Sequence, residues 1–133
     1  MKKSERDRYS KSTEILEKYG NLHYFIEEGY STTSQIAAYY DESEEKILQV
    51  ISIYIKEFLK ERKFISSNKI REQCTIREKA WVGDYYVEVD GVKVPIRPRG
   101  VMVYSREAVL RIGLLLDSDM AQIMRNELRR IYS

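Results

Sequence analysis

The chain has 133 residues, 43% hydrophobic and 33% charged, with a formal net charge of +2. That composition suits one folded domain with a well-solvated surface and excludes a disordered chain. No apolar run is long enough to cross a bilayer, "MKKSERDRYSKS" lacks the apolar core of a signal peptide, and the single Cys74 has no internal disulfide partner. A cytoplasmic protein without membrane contact is therefore expected.

The small net charge hides an asymmetry. Residues 21–59 carry two basic and seven acidic side chains, whereas residues 60–100 carry ten basic and six acidic ones. Any partner that is a polyanion must meet the second segment more readily than the first.

Residues 1–12 are polar and mixed in charge, which predicts a flexible arm or a frayed helix start. "STEILEKYGNLHYFIEEGY" predicts two short helical pieces around a break at Gly20-Asn21. Ser31 or Thr32 then caps a short helix through Tyr40, Asp41-Glu42-Ser43 breaks it, and Ser43 caps a long helix from Glu44 to about Lys63. Two helices joined by so tight a turn, with Ala37 at the close approach and Ile36, Tyr40, Ile47 and Val50 between them, predict a helix-turn-helix. "SSNKIREQCTIREKA" reads as a loop and short helix.

In "DYYVEVDGVKVPIR", Asp90-Gly91 is a two-residue hairpin turn. It pairs Val89 with Val92, Val87 with Val94 and Tyr85 with Ile96 on one apolar face. The other face then pairs Glu88 with Lys93 and Asp84 with Arg97, so opposite charges meet in a register set by the turn alone. Pro95 marks an edge strand, and Val101–Tyr104 is placed as a third strand. Ser105 caps the apolar helix "REAVLRIGLLLD", and Asp117-Ser118 separates it from a last helix whose inner stripe is Met120, Ile123, Met124, Leu128 and Ile131. In the pairs Tyr39-Tyr40 and Tyr85-Tyr86, one ring of each is expected to pack inward.

For chemistry, the helix-turn-helix points to duplex DNA. Thr33, Ser34, Ser43, Lys46 and Gln49 are the contact candidates on it, Lys46 and Gln49 to base edges and serine to phosphate. Arg97 and Arg99 follow the hairpin and suit a phosphate backbone, whereas the tip Asp90-Gly91 does not. Glu44 and Glu45 open the second helix, where acids complement the helix dipole, accept from cytosine amines and repel phosphate. The basic residues between Lys60 and Lys79 serve either phosphates or a solvated face. His23 and Cys74 stand alone, so no metal site of His/Cys type, no cofactor and no catalysis are expected; Cys74 reads as an incidental thiol.

The segment "VMVYSREAVLRIGLLLDSDMAQIMRNEL" resembles phage- and plasmid-borne regulators of low-GC Gram-positive bacteria, similar to Rha-type regulators and Bro-N-type antirepressor domains. The likeness rests on the strand Val101–Tyr104, on Ala108–Leu116, on Asp117-Ser118, and on Ala121 with Arg125. "TTSQIAAYYDESEEKILQVI" resembles the helix-turn-helix such proteins carry, and the two segments span about half the chain. The resemblance implies a non-enzymatic regulator that binds DNA or another regulator.

The expectation is an α+β chain, mainly helical. It has a winged-helix-like helix-turn-helix over 13–66 after the arm 1–12, and a single compact body completed by 67–133, with a hairpin at about 84–97 and two C-terminal helices. It is expected to bind double-stranded DNA as a homodimer or, alternatively, to act as an antirepressor that grips a partner regulator through the acidic helix pair.

Overall fold

A computed structural model describes residues 1–26, 28–73, 76–79 and 83–133, with the backbone alone over 76–79. Cys74 and the side chains of Arg77 and Lys79 lie outside the described residues.

The chain begins with helix α1 (Lys3–Tyr9), a 3₁₀ turn (Thr13–Ile15) and α2 (Leu16–Tyr19). Strand β1 (Tyr30–Thr32) leads into α3 (Thr33–Tyr40), and a tight turn leads to α4 (Glu44–Ile53) and the short α5 (Ile55–Phe58). Next come β2 (Arg62–Ser66), α6 (Ser67–Gln73), and the strands β3 (Ile76–Lys79), β4 (Tyr85–Val89) and β5 (Val92–Ile96). Strand β6 (Gly100–Ser105), α7 (Arg106–Leu115) and α8 (Asp119–Ile131) end the described chain. The fold is α+β, with two three-stranded antiparallel sheets ordered β1-β6-β2 and β3-β4-β5.

The first sheet sets the architecture. A strand, two helices and two more strands, with the last strand between the other two, make a winged-helix-like frame around α3 and α4. Residues 67–99 are inserted where β2 would turn directly back into β6. Side chains alternate across β6, so Tyr104 and Met102 pack with the helices while Val103 and Val101 pack with the inserted sheet. One core gathers Leu16, Ile36, Tyr40, Ile47, Phe58 and Ile112; the other gathers Phe25, Ile65, Tyr85, Val87, Val94 and Ile96.

The hairpin has the register read from its turn, with Tyr85 opposite Ile96, Val87 opposite Val94, Glu88 opposite Lys93 and Val89 opposite Val92. Asp90 and Gly91 both take positive φ, 51° and 81°, as the turn requires. The apolar face is buried at Tyr85, Val87, Val94 and Ile96 but opens to solvent at Val92 near the tip. Pro95 sits on an edge strand, where its missing N–H costs no pairing.

Elsewhere the structure differs from the sequence reading. The helix expected to reach Lys63 stops at Ile53, where Tyr54 leaves helical geometry; Arg62–Ser66 is taken by pairing with β6, which outweighs local helix propensity. Val101–Tyr104 joins β1 and β2, not the hairpin, whose third strand is Ile76–Lys79. The helical pieces near Gly20 both precede it, and on α8 the expected inner residues Ile123 and Ile131 are exposed while Met124 and Leu128 are buried. Tyr39 and Tyr40 are both buried, their hydroxyls donating to the carbonyls of Leu16 and Val109; of the other pair, Tyr85 packs inward and Tyr86 is exposed.

Residues 1–12, expected as a loose arm, are anchored. Arg6, Tyr9 and Ser10 are buried, and Tyr9 stacks on Tyr132. The anchor is ionic. Arg111, in the middle of the apolar α7, is only 4% exposed. It donates to both carboxylate oxygens of Glu61, at 2.9 and 3.0 Å, to Asp7 at 2.7 Å and to Glu57 at 3.0 Å. Arg6 grips Glu57 with two bonds of 2.9 and 2.8 Å. Burial by itself would lower the Arg111 pKa, but the hydrogen bonds it donates to Glu61 and Asp7 raise it. The Glu57 carboxyl is held below its ordinary 4.5, chiefly by the hydrogen bond from Arg6 and against the opposing effect of burial.

Truncating Arg111 to Leu strands Glu61 without its partner and leaves Glu57 to Arg6 alone, and should cost about 3–5 kcal/mol in urea unfolding. Because the Glu57 pKa is depressed on folding, its contribution is complete above the unfolded value near 4.5 and is lost as pH falls through the folded value. Unfolding free energy measured from pH 7 to 3 should therefore decline below about pH 5, and less steeply in Glu57→Gln. A Cβ at Gly113 would overlap the buried Tyr40 hydroxyl, so Gly113→Ala should lower stability by about 1–3 kcal/mol in the same assay.

Candidate nucleic-acid interface

Local chemistry builds the two-helix corner. Thr32 caps α3: its hydroxyl accepts from the Gln35 N–H at 3.2 Å, while the Gln35 side chain accepts from the Thr32 N–H at 2.9 Å. Asp41 ends the helix in the left-handed region at φ 53°, which a short polar side chain tolerates. Glu42 N–H returns to the Ala37 carbonyl at 3.0 Å, and Ser43 caps α4 by accepting from the Lys46 N–H at 3.1 Å. Ile36, Tyr40, Ile47 and Val50 lie buried between the helices. Across the corner, the Thr33 hydroxyl donates to Oε1 of Glu44 at 2.7 Å.

At about 100° per residue, Ile47, Val50 and Ile51 put the inward pole of α4 on one side and leave Glu45, Gln49 and Ser52 outermost. Glu44 and Leu48, one turn apart, face a groove of about 500 Å³. Its near wall adds Thr33 and Ser34 from the start of α3. Its far wall comes from the inserted segment and β6, with Asp84, Pro95, Arg97, Val101 and Met102.

The groove thus unites Thr33, Ser34 and Arg97, which are far apart in sequence. The other four candidates do not line it. Ser43 and Gln49 are exposed on the corner, and Lys46 is half-buried on the opposite flank of α4. Arg99 is exposed at the return into β6, where its carbonyl accepts from the Ser67 N–H at 2.9 Å. The groove is mildly acidic, with Glu44 and Asp84 against Arg97, and its floor is apolar. Such a lining suits hydrogen-bond donors and methyl groups better than phosphate, which belongs at the arginine rim.

The inserted hairpin does not project as a wing. Its tip is docked, with the Asp90 carboxylate 3.0 Å from Nδ1 of His23. A second cavity of about 220 Å³ lies between Val92 and Val94 of the hairpin and Gln35 and Ala38 of α3. Among the described residues, no group of three His, Cys, Asp or Glu side chains is placed to hold a metal, and no helix is long and apolar enough to cross a membrane.

Sequence reasoning left Leu48 out of the contact candidates and gave Glu44 to the helix dipole and to cytosine amines. The helical phase could have placed Leu48 on the surface, because it is out of step with Ile47, Val50 and Ile51. Nothing local announces the Thr33 tether or the far wall, since Asp84 and Met102 arrive through the long-range return of the chain.

The orientation of α4 is testable by unfolding. Ile47, fully buried, should cost about 2–5 kcal/mol when truncated to alanine. Leu48, 50% exposed, should change stability by less than about 0.5 kcal/mol. No protein-family model matches this chain, and no curated protein or solved structure is significantly similar to it, so the functional reading rests on this geometry.

Proposed function

We propose that the protein is a non-enzymatic, cytoplasmic transcriptional regulator of a phage or plasmid that binds double-stranded DNA as a homodimer. The observation that carries this reading is the presentation of α4: capped, exposed along Glu45, Gln49 and Ser52 and, on the side toward the groove, at Glu44 and Leu48, with Arg97 across that groove. A recognition helix needs that exposure to enter a major groove, and it needs cationic flanks to hold the backbone on either side. Thr33 and Ser34 at the start of α3 offer hydroxyls to phosphate, and Arg97 with Arg99 supplies charge. One protomer offers few such contacts, and a symmetric pair doubles them. Exposed apolar side chains on α8, Ile123 and Ile131, are consistent with a surface that a second copy covers.

A second reading has its own support. Two carboxylates and one guanidinium in an apolar groove would also receive a basic segment of another regulator, as an antirepressor would require.

Fluorescence anisotropy with labelled duplex separates the two. DNA binding should weaken log-linearly with salt, and Arg97→Ala and Arg99→Ala should each reduce the magnitude of that slope by about one. Absence of binding at low salt, together with co-purification of a repressor, would select the second reading.

A further inference from the structure

We infer that Glu44 and Leu48, rather than Lys46, form the base-reading stripe of α4, and that the pair selects a cytosine and a thymine within about two base pairs of each other. The inference rests on the DNA-binding reading and adds what that surface recognises.

The argument starts from placement. Glu44 and Leu48 are one turn apart on the side of α4 that faces the groove, whereas Lys46 is half-buried on the other flank. The Thr33 hydroxyl holds Oε1 of Glu44 at 2.7 Å, which limits the rotamers of an otherwise exposed side chain. No other donor among the described residues reaches that carboxylate, so it retains acceptor capacity toward a ligand.

The chemistry then narrows the target. An ionised carboxylate only accepts hydrogen bonds. In the major groove, guanine presents N7 and O6 and thymine presents O4, all acceptors that repel it. Adenine offers its amine beside the N7 acceptor. Cytosine offers an amine with no acceptor beside it, and is the base a carboxylate discriminates best. Leu48 is 50% exposed, and its methyl groups belong against the thymine 5-methyl, the apolar feature of that groove. Four residues of helix rise about 6 Å, and successive base pairs are about 3.4 Å apart, so the two contacts fall one or two steps from each other. Arg97 across the groove is then left for the backbone.

The test is selection of binding sites from a randomised duplex pool by the full chain and by Glu44→Ala, Glu44→Gln and Leu48→Ala. The wild-type motif should contain a cytosine whose replacement weakens binding about tenfold. Glu44→Ala should erase discrimination at that position alone while binding unselected duplex more tightly, because a charge facing phosphate is gone. Glu44→Gln should move the preference toward adenine, whose N6 and N7 a carboxamide pairs with. Replacing the motif thymidine by deoxyuridine should weaken wild type severalfold and leave Leu48→Ala unaffected. Both side chains are solvent-facing, so thermal melts of the variants should match wild type. Motifs and discrimination unchanged in Glu44→Ala and Leu48→Ala would overturn the assignment and leave DNA binding standing. Failure of wild type to retain any duplex at low salt would overturn DNA binding itself.

Discussion

Strand β6 is the constraint on which the rest depends. It is hydrogen-bonded on both edges, to β1 and to β2, and its two faces belong to different cores. A slip of one residue would exchange Tyr104 with Val103 and put each in the wrong core, so the register is fixed from both sides. Where β6 begins, Gly100 takes φ 140°, and a Cβ there would strike the Ile65 carbonyl of β2. Only glycine fits, and the chain therefore enters the sheet at one place. That entry puts Arg97 and Val101 across from α4. The groove is a by-product of strand pairing, formed where the inserted segment rejoins the frame.

The Arg111 network has a different role. Three carboxylates and two guanidiniums in a mostly buried cluster are costly to desolvate, and well-packed apolar residues can match them in stability. What charge adds is geometric discrimination. Glu57 and Glu61 come from α5 and the turn after it, Arg6 and Asp7 from α1, Arg111 from α7. Only one arrangement of the three satisfies all the donors. The short α5, which carries the chain from α4 to β2, is thus tied by ion pairs to both α1 and α7.

What was legible in the sequence was what local chemistry decides. Asp90-Gly91 sets a hairpin register with no outside help, and Ser43, Ser105 and Ser118 cap α4, α7 and α8 because a hydroxyl must satisfy the N–H groups at each helix start. What was not legible depends on partners distant in sequence. The apolar run after Ile47 has helical spacing to Leu59, yet pairing with β6 claims the chain from Arg62. "AVLRIGLLL" hides a buried arginine whose partners lie 50 or more residues away. For the candidate site, the corner and three of the seven contact candidates, Thr33, Ser34 and Arg97, meet at the groove; the rest of its lining was not legible, because most of the groove comes from the inserted segment and β6 together.

On the proposed DNA-binding reading, an acidic lip on α4 looks self-defeating until magnitudes are compared. In water, a carboxylate about 7 Å from a phosphate loses on the order of a few tenths of a kcal/mol once salt screening is included. A correctly matched base-edge contact discriminates by about 1–3 kcal/mol. In the proposed mode, the repulsion applies equally to every sequence, while the cytosine contact applies to few. Glu44 would then reduce binding to bulk DNA more than binding to its own site, which raises the ratio that decides occupancy in a genome. On the proposed reading the placement of charge would follow: Arg97 faces the groove from its far wall, where attraction need not depend on sequence, and the carboxylate of Glu44 stands at the helix, where it must.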